Sequence, residues 1–222
     1  MDWSDIIPYL PDLARGFLKS IEIALLSAAT ALVTALLLTL ASATGNAIVR
    51  AIVAAYTEII LGLPILVLLY VIYFVLPKFG VRFDETTAGV LTLTLYYSPY
   101  LAEAIRGAVA AVPVGQVEAA RMIGLGELSI LARIVVPQAL ALMIPSATGI
   151  LIGLVKDTAI LSVISVEEFA YVTKQVVSHT YAPFETWTLV AAVYWVTLAL
   201  FETLMRGLER RLSRFRPKVE FH

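Results

Sequence analysis

The sequence has no cysteine and only two histidines, and these shortages argue against disulfides and metal-binding sites. A chain of 222 residues without cysteine forms neither a disulfide nor a thiolate metal site. His179 and His222 stand far apart in the sequence, so they predict no metal-binding cluster. A phosphate loop of the form G-x-x-x-x-G-K-[ST] is also missing, and no catalytic triad or carboxylate pair follows from the spacing. We therefore predict a non-catalytic chain without a metal or cofactor of its own, whose energy comes from a partner.

Charged residues are scarce as well, because they make up 15% of the chain while 60% is hydrophobic and the mean hydropathy is +0.88. A soluble domain averages about 45–50% apolar residues, so the excess predicts that lipid is the solvent. The net charge of −1 gives no electrostatic basis for binding nucleic acid. A membrane helix needs about 20 mostly apolar residues. On that criterion we predict an all-α membrane protein with five transmembrane helices, at residues 23–49, 59–77, 86–102, 134–155 and 186–201.

Two further apolar segments are too short to cross a bilayer. Residues 158–166 are expected to form a half-buried or re-entrant segment. The N-terminal leader is acidic, and the apolar stretch after it is longer than the core of a signal peptide, so we expect the first span to be retained. The leader itself is expected to be a short surface helix whose apolar face carries Trp3, Ile6, Ile7 and Leu10.

The distribution of lysine and arginine predicts the orientation, since cytoplasmic loops carry the excess of these residues. An external N-terminus and a cytoplasmic C-terminus place ten basic residues inside and six outside. The inner residues are Arg50, Arg106, Arg121, Arg133, Arg206, Arg210, Arg211, Arg214, Arg216 and Lys218. The outer residues are Arg15, Lys19, Lys78, Arg82, Lys156 and Lys174. The stretch between spans three and four therefore faces the cytoplasm.

That stretch, which reads GQVEAARMIGLGELSILARIVVP over residues 115–137, has a helical apolar pattern rather than the composition of a simple loop. Pro113 suits the start of a helix, and Gly124 and Gly126 permit a sharp reversal. We expect a pair of short helices at the membrane face that docks into a groove on another protein. The alternative is a solvated turn with two glycines.

The same residues resemble the signature loop of the membrane subunits of bacterial ABC importers. The pattern is Glu-Ala-Ala, three residues, Gly, nine residues, Ile, one residue, Leu, Pro. The positions that match it are Glu118, Ala119, Ala120, Gly124, Ile134 and Pro137. The departure is Val136, which stands in place of the leucine. The resemblance implies that residues 110–133 form coupling helices seated in a cleft of a cytoplasmic ATPase subunit.

Residues 100–124, 154–168 and 182–187 narrow the resemblance to the polar amino-acid branch of these permeases. It implies one transmembrane domain over residues 1–222 with a basic cytoplasmic tail at 206–222, in the bacterial cytoplasmic (inner) membrane. It also implies that the chain works as one of a pair of permease subunits. The protein partners implied are two ATPase subunits that bind ATP and Mg, and a periplasmic or extracellular solute-binding protein. Membrane lipid surrounds the complex, and no nucleic acid is expected to bind.

Two departures from the family pattern lie at membrane depth. Residues 61–64 read Leu-Gly-Leu-Pro where the family usually has Arg-Gly-Thr-Pro, and Tyr96 stands where an asparagine is frequent. Both changes remove polar groups from the wall that would face substrate. We therefore expect docking to be retained, the solute type to have diverged, and a homologous second permease to supply the missing polar groups. A heterodimer is favoured over a homodimer on this argument.

Ionisable residues at membrane depth usually face a cavity or a partner, because a charge at a helix centre costs about 2.5–3.5 kcal/mol. For Glu22, Glu103 and Glu202 we favour interfacial side chains near span ends. The candidate substrate pathway consists of Glu58, Tyr96, Ser98, Lys156 and Asp157. For Asp157 the alternatives are an ion pair with Lys156 or capping of the next short helix.

Two other classes of protein remain open on composition alone. A small secondary transporter or channel driven by an ion gradient would usually have internal repeats, and the two halves of this chain have no convincing one. A purely structural membrane scaffold would leave the pattern of residues 110–133 unexplained.

Overall fold

The computed structural model describes residues 3–212, and all of its regular structure there is helical. Arg214, Arg216, Lys218 and His222, all named in the sequence analysis, lie outside the described residues. Two short 3₁₀ helices, Trp3–Asp5 and Ile7–Tyr9, precede the first long helix. The α-helices, numbered α1 to α9 in chain order, are Leu10–Ala43, Ala47–Gly62, Ile65–Tyr70, Glu85–Ala110, Val114–Met122, Glu127–Ile130, Val136–Asp157, Phe169–Thr180 and Pro183–Leu212.

Within residues 3–212, three helices are long and apolar enough to cross a membrane, and a bent pair makes a fourth stretch if it is taken as one span. Three are continuous, Trp3–Ala43, Glu127–Ile164 and Pro183–Leu212, and they contain most or all of the first, fourth and fifth predicted spans. The fourth is a bent pair, Ala47–Gly62 and Ile65–Phe79, whose two parts meet at 108°. The prediction of an all-helical membrane protein is confirmed.

The second predicted span, residues 59–77, is wrong as a continuous helix. The chain breaks at Leu63 and Pro64, because proline has no backbone N–H and its ring forces the preceding residue into an extended conformation. Leu63 accordingly has φ −102° and ψ 136°. After α3 the chain continues as a π turn, Val71–Val75, and a 3₁₀ turn, Leu76–Phe79.

The first span also ends earlier than predicted. Helix α1 stops at Ala43 instead of continuing to residue 49, and Gly45 adopts a left-handed φ of 73°. Asn46 then caps α2, since its side-chain oxygen accepts hydrogen bonds from the amides of Ile48 at 2.9 Å and Val49 at 3.4 Å. A glycine followed by a capping asparagine starts a new helix within the apolar run.

Helix α4 contains the third predicted span, yet it is not among the stretches that are long and apolar enough to cross a membrane. Its 26 residues extend about 39 Å, but threonines, tyrosines and a serine interrupt the apolar sequence. It packs mainly against α1 and α7, with a face of small residues that includes Ala88 and Gly89. The hydroxyls of Thr30 and Thr94 lie 2.6 Å apart across the α1–α4 contact. Polar groups are tolerated here because neighbouring helices satisfy them.

A buried carboxylate fastens α8 to α1. Glu168 caps α8, where its oxygens accept from the amides of Ala170 at 2.9 Å and Tyr171 at 2.8 Å. It also accepts from the Ser20 hydroxyl at 3.1 Å, and that hydroxyl in turn accepts from the amide of Phe169. Burial raises the pKa of the Glu168 carboxyl despite these hydrogen bonds.

The structure of the N-terminal leader differs from the prediction, whereas that of the segment after α7 agrees with it. The leader forms two 3₁₀ turns instead of one short helix, with Ile6 buried between them and Trp3, Ile7 and Leu10 exposed. Residues Thr158–Ile164 form a 3₁₀ helix that continues α7 and is half-buried, as expected. The backbone of this segment is therefore helical.

Candidate functional site

The loop between α4 and α7 is a helix–turn–helix with a well-defined reversal. Helix α5 ends in a Schellman motif, in which the amide of Leu125 bonds to the carbonyl of Ala120 at 3.1 Å and that of Gly124 to Arg121 at 3.0 Å. Gly124 has a left-handed φ of 82°, which glycine adopts without strain. Gly126 has an ordinary φ of −70°. The predicted reversal is confirmed, and of these two glycines Gly124 alone requires its residue type.

An ion pair braces this reversal. The Arg121 guanidinium donates to both carboxylate oxygens of Glu127, at 2.8 Å from Nε and 3.1 Å from Nη2. The hydrogen bond to Glu127 raises the pKa of Arg121. Both side chains are exposed, so the pair fixes geometry more than it adds stability.

Three large apolar side chains stand out from this loop. Met122 is 89% exposed, Ile123 is 78% exposed and Leu128 is 83% exposed. Ala120 and Ile130 are buried and anchor the two helices. An exposed apolar surface on an ordered loop is typical of an interaction site. We call Met122, Ile123 and Leu128 the apolar tip of the loop.

The residues that carried the motif are distributed around this tip. Glu118 and Ala119 are exposed on α5, whereas Ala120 is buried beneath it. Ile134 lies in a π turn, Leu131–Val135, and Pro137 lies in the first turn of α7. The π turn is compatible with the proline, which cannot donate a backbone hydrogen bond at that point.

The pathway candidates on α4 lie within a group of tyrosines. The Tyr97 hydroxyl donates to Asp157 Oδ2 at 2.6 Å, which joins α4 to the end of α7. Tyr100 donates to the Tyr96 hydroxyl at 3.4 Å. Gly153 leaves room for this arrangement, since a Cβ there would lie 3.1 Å from the Tyr97 hydroxyl. Tyr96 and Asp157 thus belong to one cluster, and both are partly exposed.

The partners of Asp157 differ from the two structural alternatives. Its side chain makes no capping hydrogen bond to the 3₁₀ helix that follows it. Among the hydrogen bonds of residues 3–212, its carboxylate bonds to Tyr97, and no ion pair joins it to the exposed Lys156. The capping role weighed for Asp157 is wrong in this conformation.

Ser98 and Glu58 are placed apart from that cluster. Ser98 is fully buried, and its hydroxyl lies 3.0 Å from that of Tyr56, which also donates to the carbonyl of Leu95. Glu58 is exposed and lines a groove of about 320 Å³ between α2 and α4. The other charged residues of that groove are Arg50, Glu103 and Arg106.

The three carboxylates expected at interfaces each pair with a basic residue on the same helix. The pairs are Lys19 with Glu22, Arg106 with Glu103, and Arg206 with Glu202. Exposed pairs of this spacing contribute little to stability, on the order of 0.3–0.5 kcal/mol each.

Sequence reasoning missed Tyr97, Tyr56, Gln116 and Gln138. The run Tyr96–Tyr97 within a membrane helix was a signal, because a buried tyrosine hydroxyl needs a partner. The identity of that partner depends on how α4 packs against α7, and spacing along the chain does not specify it.

The helix arrangement agrees with the comparisons with known proteins. The family model for a binding-protein-dependent transport system inner membrane component matches residues 31–214. The chain is 33% identical over 214 residues to the glutamine transport system permease protein GlnP of Escherichia coli strain K12, covering 96% of this chain and 98% of that protein. It is 30% identical over 211 residues to the L-cystine transport system permease protein TcyB of Bacillus subtilis strain 168, covering 95% and 90% respectively.

A solved structure of a transporter has the same fold as this chain. A chain in the crystal structure of an amino acid ABC transporter with histidines superposes with a TM-score of 0.89 at 31% identity. The match covers 95% of this chain and 99% of that chain.

The fold and its loop define a transport permease of the inner membrane. The chain belongs to the family of binding-protein-dependent transport system inner membrane components, and it is the permease subunit of an ABC importer. It is a multi-pass, non-catalytic subunit, which works with a separate ATPase and with a solute-binding protein. This assignment replaces the ion-driven transporter and the structural scaffold as interpretations.

Proposed function

We propose that this permease carries a polar amino acid inward and that residues 110–133 are its docking loop for the ATPase. The observation that carries the docking proposal is the apolar tip, three large side chains that a braced reversal holds exposed on the subunit. Displaying them is unfavourable unless a partner covers them, since burying one such side chain contributes about 1.5–3 kcal/mol. Glu118, Ala119, Ala120, Gly124, Ile134 and Pro137 shape the loop that presents them.

The amino-acid class is supported by the relatives, whose names give glutamine and L-cystine as their solutes. A polar amino acid carries an ammonium group, and an unpaired charge in a low-dielectric site is costly. Asp157, partly exposed beside Tyr96 and Tyr97, offers a carboxylate for that group. In this proposal Ser98 positions Tyr56 through the contact between their hydroxyls. Glu58 and Lys156 are exposed and lie at the ends of the pathway.

The proposed arrangement is a pair of permeases with two ATPase subunits inside and the solute-binding protein outside. In the orientation that the basic residues favour, the N-terminus is external, and the docking loop and C-terminus are cytoplasmic. A heterodimer is favoured, because Leu61, Leu63 and Tyr96 replace polar groups of the family pattern that a homologous partner can supply. Charged residues such as Arg50 and Arg106 in the α2–α4 groove favour a protein or water, rather than lipid, against that face.

Affinity purification through a tag on this chain tests the assembly. The complex, extracted from native membranes in mild detergent, is expected to contain an ABC ATPase and a second, homologous permease when intact masses are measured. A tagged Leu128→Met variant, which keeps the apolar tip, is the matched control for Leu128→Glu, which removes an apolar side chain from it. A complex with two copies of this chain would contradict the heterodimer, and one without an ATPase would contradict the docking proposal.

A further inference from the structure

A buried amide connects the docking loop to the membrane helix after it. Gln138 lies in the first turn of α7, and its Nε2 donates to Gln116 Oε1 on α5 at 2.6 Å. The same Nε2 donates to the carbonyl of Ile134 at 3.0 Å. Gln138 is buried, whereas Gln116 is exposed. The bond therefore crosses the turn, α6 and the π segment that separate α5 from α7 along the chain.

The second hydrogen bond fixes which way the Gln138 amide points. The carbonyl of Ile134 can only accept, so the nitrogen of Gln138 must face it. Both protons of that nitrogen are then used, and the group on Gln116 that meets it must be an acceptor. Position 116 consequently requires an oxygen, and an apolar side chain there leaves the Gln138 nitrogen without its second partner.

We infer that the Gln116–Gln138 hydrogen bond is a positioning contact that carries displacement of the docking loop into α7. This inference rests on the proposed function, because α5 moves with the ATPase only if the loop docks there. Helix α7 has 22 residues, holds this contact in its first turn and ends at Asp157 in the tyrosine cluster. Without the bond, the connection from α5 to α7 runs through the glycine-containing turn, α6 and the π turn Leu131–Val135, which absorb part of the movement.

The test measures amino acid taken up per ATP hydrolysed by the complete complex in proteoliposomes with its solute-binding protein. The probe is an equimolar mixture of the protein amino acids and L-cystine, quantified by mass spectrometry. Gln116→Leu and Gln138→Leu are expected to lower uptake per ATP by about threefold to tenfold, the effect of losing one hydrogen bond. Gln116→Glu keeps an acceptor oxygen and is expected to retain the wild-type ratio. The exposed Gln175 on α8 supplies the control variant Gln175→Leu.

The double variant Gln116→Leu/Gln138→Leu is expected to be no worse than Gln138→Leu, since both changes remove the same bond. A purely structural contact would lower the amount of complex and leave uptake per ATP unchanged, and that outcome would overturn the inference. Equal ratios in Gln116→Leu and Gln116→Glu would overturn it as well. If the wild-type complex hydrolyses ATP but takes up no amino acid, the proposed function fails. If the wild type takes up amino acid and the variants have the same uptake per ATP, only the inference about the Gln116–Gln138 bond fails.

Discussion

Replacement of Leu128 by glutamate is expected to reduce amino-acid uptake more than tenfold while the protein still reaches the membrane. Leu128 is exposed at the apolar tip and precedes the predicted fourth span, residues 134–155, so folding does not depend on it. In the docked complex the change removes about 1.5–3 kcal/mol of apolar burial and adds the cost of desolvating a carboxylate. Each 1.4 kcal/mol is a factor of ten in affinity. Uptake normalised to membrane-inserted protein measures the effect.

Leu128→Met is the matched control, because methionine keeps an apolar side chain of similar size and is expected to transport normally. ATPase recovered with each variant separates loss of docking from loss of a later step. Normal uptake by Leu128→Glu, with the ATPase still bound, would remove the apolar tip from the docking surface.

Replacement of Asp157 by asparagine is expected to weaken uptake about tenfold or more without loss of the assembled complex. Asparagine still offers an oxygen to the Tyr97 hydroxyl, so the α4–α7 contact survives. The negative charge is lost, and hydrogen bonds to charged groups contribute about 1.5–3 kcal/mol against 0.5–1.5 kcal/mol for neutral ones. The expected loss is greatest for substrates with an additional ammonium group.

Tyr97→Phe separates the charge of Asp157 from its structural contact, because it removes the hydrogen bond between Tyr97 and Asp157 and keeps the carboxylate. We expect a smaller fall in uptake for Tyr97→Phe than for Asp157→Asn. Glu58→Gln tests the second anion, in the groove between α2 and α4. Unchanged uptake in both Asp157→Asn and Glu58→Gln would remove these carboxylates from the pathway.

The local parts of the docking loop were predictable from sequence. Pro113 sits at the N-cap of α5, and Gly124 takes the left-handed φ that ends it, because both effects depend on residue type and near neighbours. The ion pair between Arg121 and Glu127 was not predicted. Its geometry depends on the Schellman turn, which brings residues six apart together across the reversal.

The membrane helices were predictable as a class but not in their ends. Hydropathy alone treats residues 59–77 as one run, since leucine and isoleucine flank Pro64 on both sides. The backbone constraint at Pro64 outweighs that pattern and breaks the span. The polar character of α4 is tolerated for the opposite reason, because α1 and α7 cover it.

The contact between Tyr97 and Asp157 lay beyond sequence reasoning. The two residues belong to different helices, and their distance is set by the packing of small residues such as Gly153 against the tyrosine. The same holds for Gln116 and Gln138, whose approach depends on the path of the chain through α6 and the π turn.

Site-specific cross-linking from the apolar tip tests the central claim most directly. The chain has no cysteine, so Met122→Cys provides a single attachment point for a thiol-reactive photo-cross-linker in the intact complex. Met122 is 89% exposed in the subunit. The control is Phe79→Cys. Phe79 is 79% exposed in the subunit and is the last residue of the 3₁₀ turn Leu76–Phe79 before α4, on the proposed outer side. The account predicts an adduct between position 122 and the ATPase, and none from position 79. An ATPase adduct from position 79, or its absence from position 122 in a complex that contains the ATPase, would contradict it.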